Sequence, residues 1–225
     1  MLRQASWLLA AALWIGACPV QAQDDTMAEL GPQARSLAEW VLASGDAQGM
    51  PFAIVDKQAA TLYLFDATQA LITSTPVIVG QTVGDHTTPG VGQRTQLGRV
   101  GRDERTTPAG RFETKPGRNL QGEHVVWLDY DAAFAIHRVR EGPRYEERLA
   151  RLASASPRDN RDSLGCVVVP VDFYLKHVQE VFGRRAGVVY VLPESASQQV
   201  NVGPRTVRTS SSSSRINPLP RRSPV

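Results

Sequence analysis

Cysteine is almost absent from this chain, with Cys18 and Cys166 alone among 225 residues. Long apolar runs are also scarce. Trp7 to Ala17 is the one extended apolar stretch, and it is too short to span a bilayer. Arg3 before it and Val20-Gln21-Ala22 after it complete the pattern of a cleaved secretory signal, so residues 1–22 are read as a signal peptide. Ile15-Gly16-Ala17-Cys18 also has the look of a lipidation site, which would anchor the chain through Cys18, although Pro19 directly after the cysteine counts against it. With no other segment of spanning length, the remainder is expected to be soluble and exported, to the periplasm or cell envelope. Cys18 is then removed or capped, and Cys166 is left without an intramolecular disulfide partner. It is either a buried small hydrophobe or a reactive thiol.

Acidic residues vanish after Glu194, whereas Arg205, Arg208, Arg215, Arg221 and Arg222 follow among serines and prolines. The run Ser210 to Ser214 and the prolines at 218, 220 and 224 offer no apolar surface to offset chain entropy, so residues 194–225 are expected to form a disordered tail. The net charge is only +3, and for an exported chain nucleic acid is a poor partner. About 200 residues remain after the signal, enough for one domain with a real core.

Inside that domain most signals are for strands. Residues 23–50 are read as an N-terminal helix and linker, with Met27, Leu30, Ala34, Leu37, Ala38 and Val41 at helical spacing. Strand patterns follow at 52–56, 61–65 and 71–79, then at Phe112, 125–128, 134–136 and 187–192. Residues 143–152 and 171–182 read as helices. Residues 81–105 are polar, glycine-rich and aperiodic, a length that argues for a functional loop or lid. The fold class is therefore mostly β, a sandwich or half-barrel with a few short helices.

Ser163-Leu164-Gly165-Cys166 lies between a polar stretch and the apolar Val167-Val168-Val169. A cysteine entering a buried strand places its thiol at the strand mouth, with backbone N–H groups able to face a substrate carbonyl. The thiolate is the reactive form, and an ordinary thiol ionises only near about pH 8.5, so a base is needed. Of the four histidines, His86 falls in the lid, His177 on a helix and His124 at a strand entrance. His137 ends the apolar strand 133–137 and is the best-placed base.

These residues carry a resemblance. Thr107-Pro108-Ala109-Gly110-Arg111-Phe112 resembles the Thr-Pro-x-Gly-x-Phe signature of the L,D-transpeptidases, the YkuD domain. Leu62 to Phe65 and Pro76 to Gly80 resemble its opening strands, Ile136-His137 its Ile-His element, and Ser163-x-Gly165-Cys166 its Ser-His-Gly-Cys motif. The order is right across residues 51–193, and no single piece carries the likeness alone. The resemblance implies a YkuD-like β-sandwich with Cys166 as nucleophile and His137 as base, and with Ser163 and Gly165 shaping the turn and oxyanion region. It also implies a peptidoglycan stem peptide as substrate, with no metal and no cofactor; the chain itself is expected to be a monomer. The departures are Leu164 where the motif has histidine, Val168 where it has a polar residue, and a long spacer from 138 to 162. Arg138, Arg140, Arg158 and Arg161 bracket the site, and Arg161, then Arg138, are candidates to hold a substrate carboxylate. Transfer, hydrolysis and wall binding without catalysis remain the three functional readings.

Overall fold

The computed structural model describes residues 27–194. The expected signal peptide, Cys18 and the tail from residue 195 onward lie outside the described residues.

Helix α1 (Pro32–Ser44) starts with Pro32 at its first position, where a missing N–H and a fixed φ cost nothing. Ala34, Leu37, Ala38 and Val41 make its buried stripe. The helix ends at Gly45, whose N–H is donated to the Val41 carbonyl at 3.0 Å.

Two sheets follow. The first combines β1 (Phe52–Asp56), β2 (Thr61–Phe65), β3 (Leu71–Pro76), β5 (Gly110–Glu113) and β11 (Val188–Val191) in the order β3-β2-β1-β11-β5. The second combines β6 (Lys115–Arg118), β7 (His124–Asp129), β8 (Phe134–Arg138) and β10 (Val167–Val169) in the order β10-β8-β7-β6. A short parallel pair of β4 (Val79–Gly80) and β9 (Arg161–Ser163) stands beside them. The mostly-β fold class with a few short helices is what the structure shows.

Strand β1 is buried along its whole length because both of its faces are covered. Ala53 and Val55 point into the core between the sheets, with Leu62, Leu64, Val126, Ile136, Val167 and Val189. Phe52 and Ile54 point the other way, against Leu37 and Val41 of α1. On that side Phe52 stacks on Phe65 with centroids 4.2 Å apart. The N-terminal helix thus forms a third layer on the first sheet.

Some elements differ from the sequence pattern. The run 71–79 is not one strand: it breaks at Pro76, which has no N–H to continue a ladder. Val77 then donates to the Ala60 carbonyl, Ile78 bridges Val168, and Val79 joins β9. One apolar run therefore serves three partners. Segment 81–105 contains helix α2 (Val91–Gln96) and a 3-10 turn (Arg102–Glu104). The helix expected at 143–152 is α3 (Tyr145–Leu152), whose Tyr145, Leu149 and Leu152 pack on Ile78, Val139 and Val168. The helical segment 171–182 has a π-helical middle, Tyr174–Val178, between two α-helical ends. No helix among the described residues is long and apolar enough to cross a membrane.

Candidate active site

Strands β8 and β10 run parallel, so their first residues meet at one end of the second sheet. In their register Val168 lies directly across from His137, and Val167 across from Ile136. Ile136 and Val167 face the core, which puts His137 and Val168 on the outer face of the sheet. Cys166 lies immediately before β10, two residues ahead of Val168, the register partner of His137.

The turn before Cys166 is held by side chains. The Ser163 hydroxyl donates to the Cys166 carbonyl at 2.6 Å and accepts the Gly165 N–H at 3.0 Å. Thr107 donates its hydroxyl to the Gly165 carbonyl at 2.8 Å and accepts the Gly80 N–H at 2.8 Å. Gly165 has φ +135°, and a Cβ there would stand 2.8 Å from the Thr106 carbonyl oxygen. Backbone conformation and space both require glycine at this position. Thr107 belongs to the Thr-Pro-x-Gly-x-Phe element, and its contribution is to tie that element to the turn before Cys166.

The Cys166 thiol is partly exposed and donates to the Ala133 carbonyl at 3.4 Å. Burial pushes this thiol above its ordinary range, and a backbone hydrogen bond to Ala135 and the positive charge of Arg140 offset that only in part. His137 is buried, 8 % exposed, and its ring N–H at Nδ1 donates to the Arg138 carbonyl at 2.8 Å. A carbonyl can only accept, so the proton sits on Nδ1 and the lone pair on Nε2. Burial first, then the charge of Arg140, pushes this imidazole down to about 3. At neutral pH the thiol and the imidazole therefore both rest uncharged.

A cleft opens at Cys166. Leu164, Gly165 and Cys166 line one side, and Ala132 and Ala133 of the β7–β8 turn, with Phe134 at the start of β8, line another. Thr87, Val91, Thr95 and Glu104 of segment 81–105 line it too. His137, Ser163, Arg138 and Arg161 do not line it. Leu164, 42 % exposed, adds to a mainly apolar wall. Arg94 pairs with Glu104 and fixes segment 81–105 internally.

Glycine lets that segment dock. A Cβ on Gly92 in α2 would lie 2.0 Å from the Asp131 carbonyl oxygen in the β7–β8 turn. Gly92→Ala is therefore expected to lift α2 from the turn, with a loss of about 1–3 kcal/mol in thermal or denaturant unfolding. Alkylation of Cys166 by iodoacetamide should become faster as this side of the cleft loosens. An unchanged melting temperature with unchanged alkylation would show that the contact is not made in solution.

The other candidates fall elsewhere. The Arg161 guanidinium is held by Glu194 Oε2 at 2.6 Å and by the Gly80 carbonyl at 3.3 Å. Arg138 sits beside His137 and meets Glu123 at 3.4 Å, and Arg140 meets the same carboxylate at 3.0 Å. His124 faces inward, its Nδ1 2.8 Å from the Tyr174 hydroxyl. His177 is half-buried against Phe173. His86 is exposed, next to Thr87 at the cleft, and its carbonyl accepts the Thr106 hydroxyl at 2.6 Å. Asp162, next to Ser163, is buried and paired with Arg144 at 2.5 Å and Arg148 at 3.1 Å. Helix α3 is thereby fastened to the strand that leads into the turn before Cys166. Among the described residues no group of three or more His, Cys, Asp or Glu side chains is placed to hold a metal ion.

No family model matches this chain, and no curated protein does. Solved structures similar to it include an L,D-transpeptidase from Mycobacterium smegmatis, 14 % identical with a TM-score of 0.37, matched over 63 % of this chain and 58 % of that one. An L,D-transpeptidase from Xylanimonas cellulosilytica is 17 % identical with a TM-score of 0.37, over 72 % and 71 %. The helical cell shape determining protein Pgp2 from Campylobacter jejuni is 14 % identical with a TM-score of 0.40, over 74 % and 58 %. The chain spans less than two thirds of the length of the first and third of these.

Proposed function

We propose that this chain is an exported L,D-transpeptidase that acts on peptidoglycan stem peptides. What supports the reading is the place of Cys166 in the cleft, two residues before Val168, the register partner of His137, whose ring is oriented by the Arg138 carbonyl. The sequence motifs around both residues resemble that family.

In this reading Sγ attacks the carbonyl on the L side of an L–D bond, and the thiol proton passes to Nε2 of His137. The new C–S bond gives a tetrahedral oxyanion. Its collapse breaks the C–N bond, and the D-amino acid leaves with the proton from His137. An amine of a neighbouring stem, such as that of diaminopimelate, then attacks the thioester and restores the thiol. Since the Gly165 N–H is directed to Ser163, the Cys166 N–H is the donor assigned to the oxyanion. Neutral resting groups suit such a cleft, because the charge develops only as the carbonyl is attacked. Arg138 meets Glu123, Arg161 holds Glu194, and neither lines the cleft, so the substrate carboxylate is assigned to neither of them.

Incubating the mature protein with defined muropeptides and weighing the products tests this. A crosslinked dimer is the expected product. A shortened monomer would mark a hydrolase on the same scaffold, and unchanged muropeptides would mark a wall-binding domain.

A further inference from the structure

Lys57 has no part in the reaction as proposed, yet its side chain is completely buried in the turn between β1 and β2. Its ammonium donates to the Gly84 carbonyl at 2.8 Å, to Oδ1 of Asp85 at 2.7 Å and to the Thr107 carbonyl at 2.7 Å. Those three bonds use all three of its donors. Glu194 Oε1 lies 3.4 Å away, and its other oxygen holds Arg161. Asp85 also accepts the Glu194 N–H at 2.8 Å. The charge is thus matched, and three separate stretches of chain meet at one nitrogen.

What Lys57 holds matters for the site. Thr107, gripped by its carbonyl, uses its hydroxyl to hold the Gly165 carbonyl. The peptide between Gly165 and Cys166 is planar and trans, so fixing its C=O fixes the Cys166 N–H in the opposite direction. Gly84 and Asp85 form the root of segment 81–105, which lines the cleft at the thiol. A buried ion network is weak evidence for stability, since apolar residues of similar volume often serve as well. Apolar residues, however, cannot draw carbonyls from two separate segments to a single point.

We propose that Lys57 is a positioning residue for acyl transfer, fixing the Gly165–Cys166 peptide through Thr107 and rooting segment 81–105 at the same point. The proposal rests on the acyl-transfer reading above.

The test compares two reactions of Cys166 in the full chain. Acylation by p-nitrophenyl acetate builds an oxyanion, whereas alkylation by iodoacetamide builds none. Lys57→Met is expected to lose about 100-fold in acylation, the scale of an ångström-level misplacement, with far less change in alkylation. Should Lys57→Met fail to fold, Lys57→Met/Asp85→Asn removes one charge of each sign and leaves Glu194 with Arg161. Thr107→Val should reproduce the selective loss, and Thr107→Ser should restore acylation. Should neither Lys57 variant fold, the two Thr107 variants carry the result. Acylation and alkylation falling in proportion, or neither changing, would overturn the proposal. If wild type is acylated no faster than Cys166→Ser, the acyl-transfer reading itself fails. Lys57 is then judged by amide hydrogen exchange over residues 163–166: faster exchange in the Lys57 or Thr107→Val variants supports the anchoring, and unchanged exchange refutes it.

Discussion

Replacing Cys166 by serine is expected to remove covalent chemistry altogether while leaving the fold in place. An alcohol is far less acidic than a thiol, and the neutral imidazole of His137 is a weak base, held down by burial and by Arg140. The acylation rate should drop by about four orders of magnitude or more, as happens when a nucleophile is removed from a constellation that acts as a unit. Intact-mass analysis after exposure to a carbapenem should show an adduct on wild type and none on the mutant. The change in size is small, and a serine hydroxyl can still donate to the Ala133 carbonyl that the thiol meets at 3.4 Å. Thermal unfolding should therefore stay close to that of wild type. A mutant that acylates at the wild-type rate would prove that another residue is the nucleophile.

His137→Ala should cost about 100-fold or more in acylation at neutral pH, the usual scale for a general base. The pH dependence is the sharper signature. In wild type the imidazole is neutral at any pH well above about 3, so it gives no acid limb near 6.5. Without it the thiol must ionise unaided, and burial has raised it above its ordinary range. The residual rate should then climb by about ten-fold per pH unit through the alkaline region, and the defect should shrink. Stability carries a matching sign. The unfolded histidine takes up a proton near about pH 6.5, whereas the folded one waits until about 3. Between those values protons favour the unfolded chain, so the contribution of His137 is full above about pH 6.5 and is lost as pH falls. His137→Ala should lack that part of the acid sensitivity. Near-normal acylation of the mutant at pH 7 would move the base to His86, His124 or His177.

Local pattern was enough to find β1, β2 and β8, since each is an apolar run bounded by turn residues. It was also enough to single out Cys166, just before β10, and His137, on the neighbouring strand β8. Other features were hidden for physical reasons. Strands β6 and β9 are short and polar, Lys115-Pro116-Gly117-Arg118 and Arg161-Asp162-Ser163, and only their partners make them strands. Helix α2 is six residues with no apolar period, and it is held by a glycine contact with a distant turn. Arg161 reads as a surface cation beside a motif, but its partner Glu194 lies 33 positions away. Lys57 is the plainest case, because a lysine in a tight turn looks solvated until the segments that cover it are assembled. The low proton affinity of His137 was equally invisible. It comes from burial on a sheet face where α3 packs on Val168, and α3 belongs to the long spacer that sets this chain apart from the pattern it resembles.

The pairing of β1 with β11 bears on when this chain can fold at all. Phe52 to Val55 are matched in parallel to Val188 to Val191, so the middle of the first sheet needs a segment from near each end of the domain. Pairings so distant in sequence are late and slow to form, because the intervening chain must be brought together before the contact repays it. A ribosome that has released only the first hundred residues has made β1, β2 and β3 but not the strand that seats them. The first sheet therefore closes only after its last strand has emerged, and a chain shortened before Val188 would leave one edge of β1 without its partner.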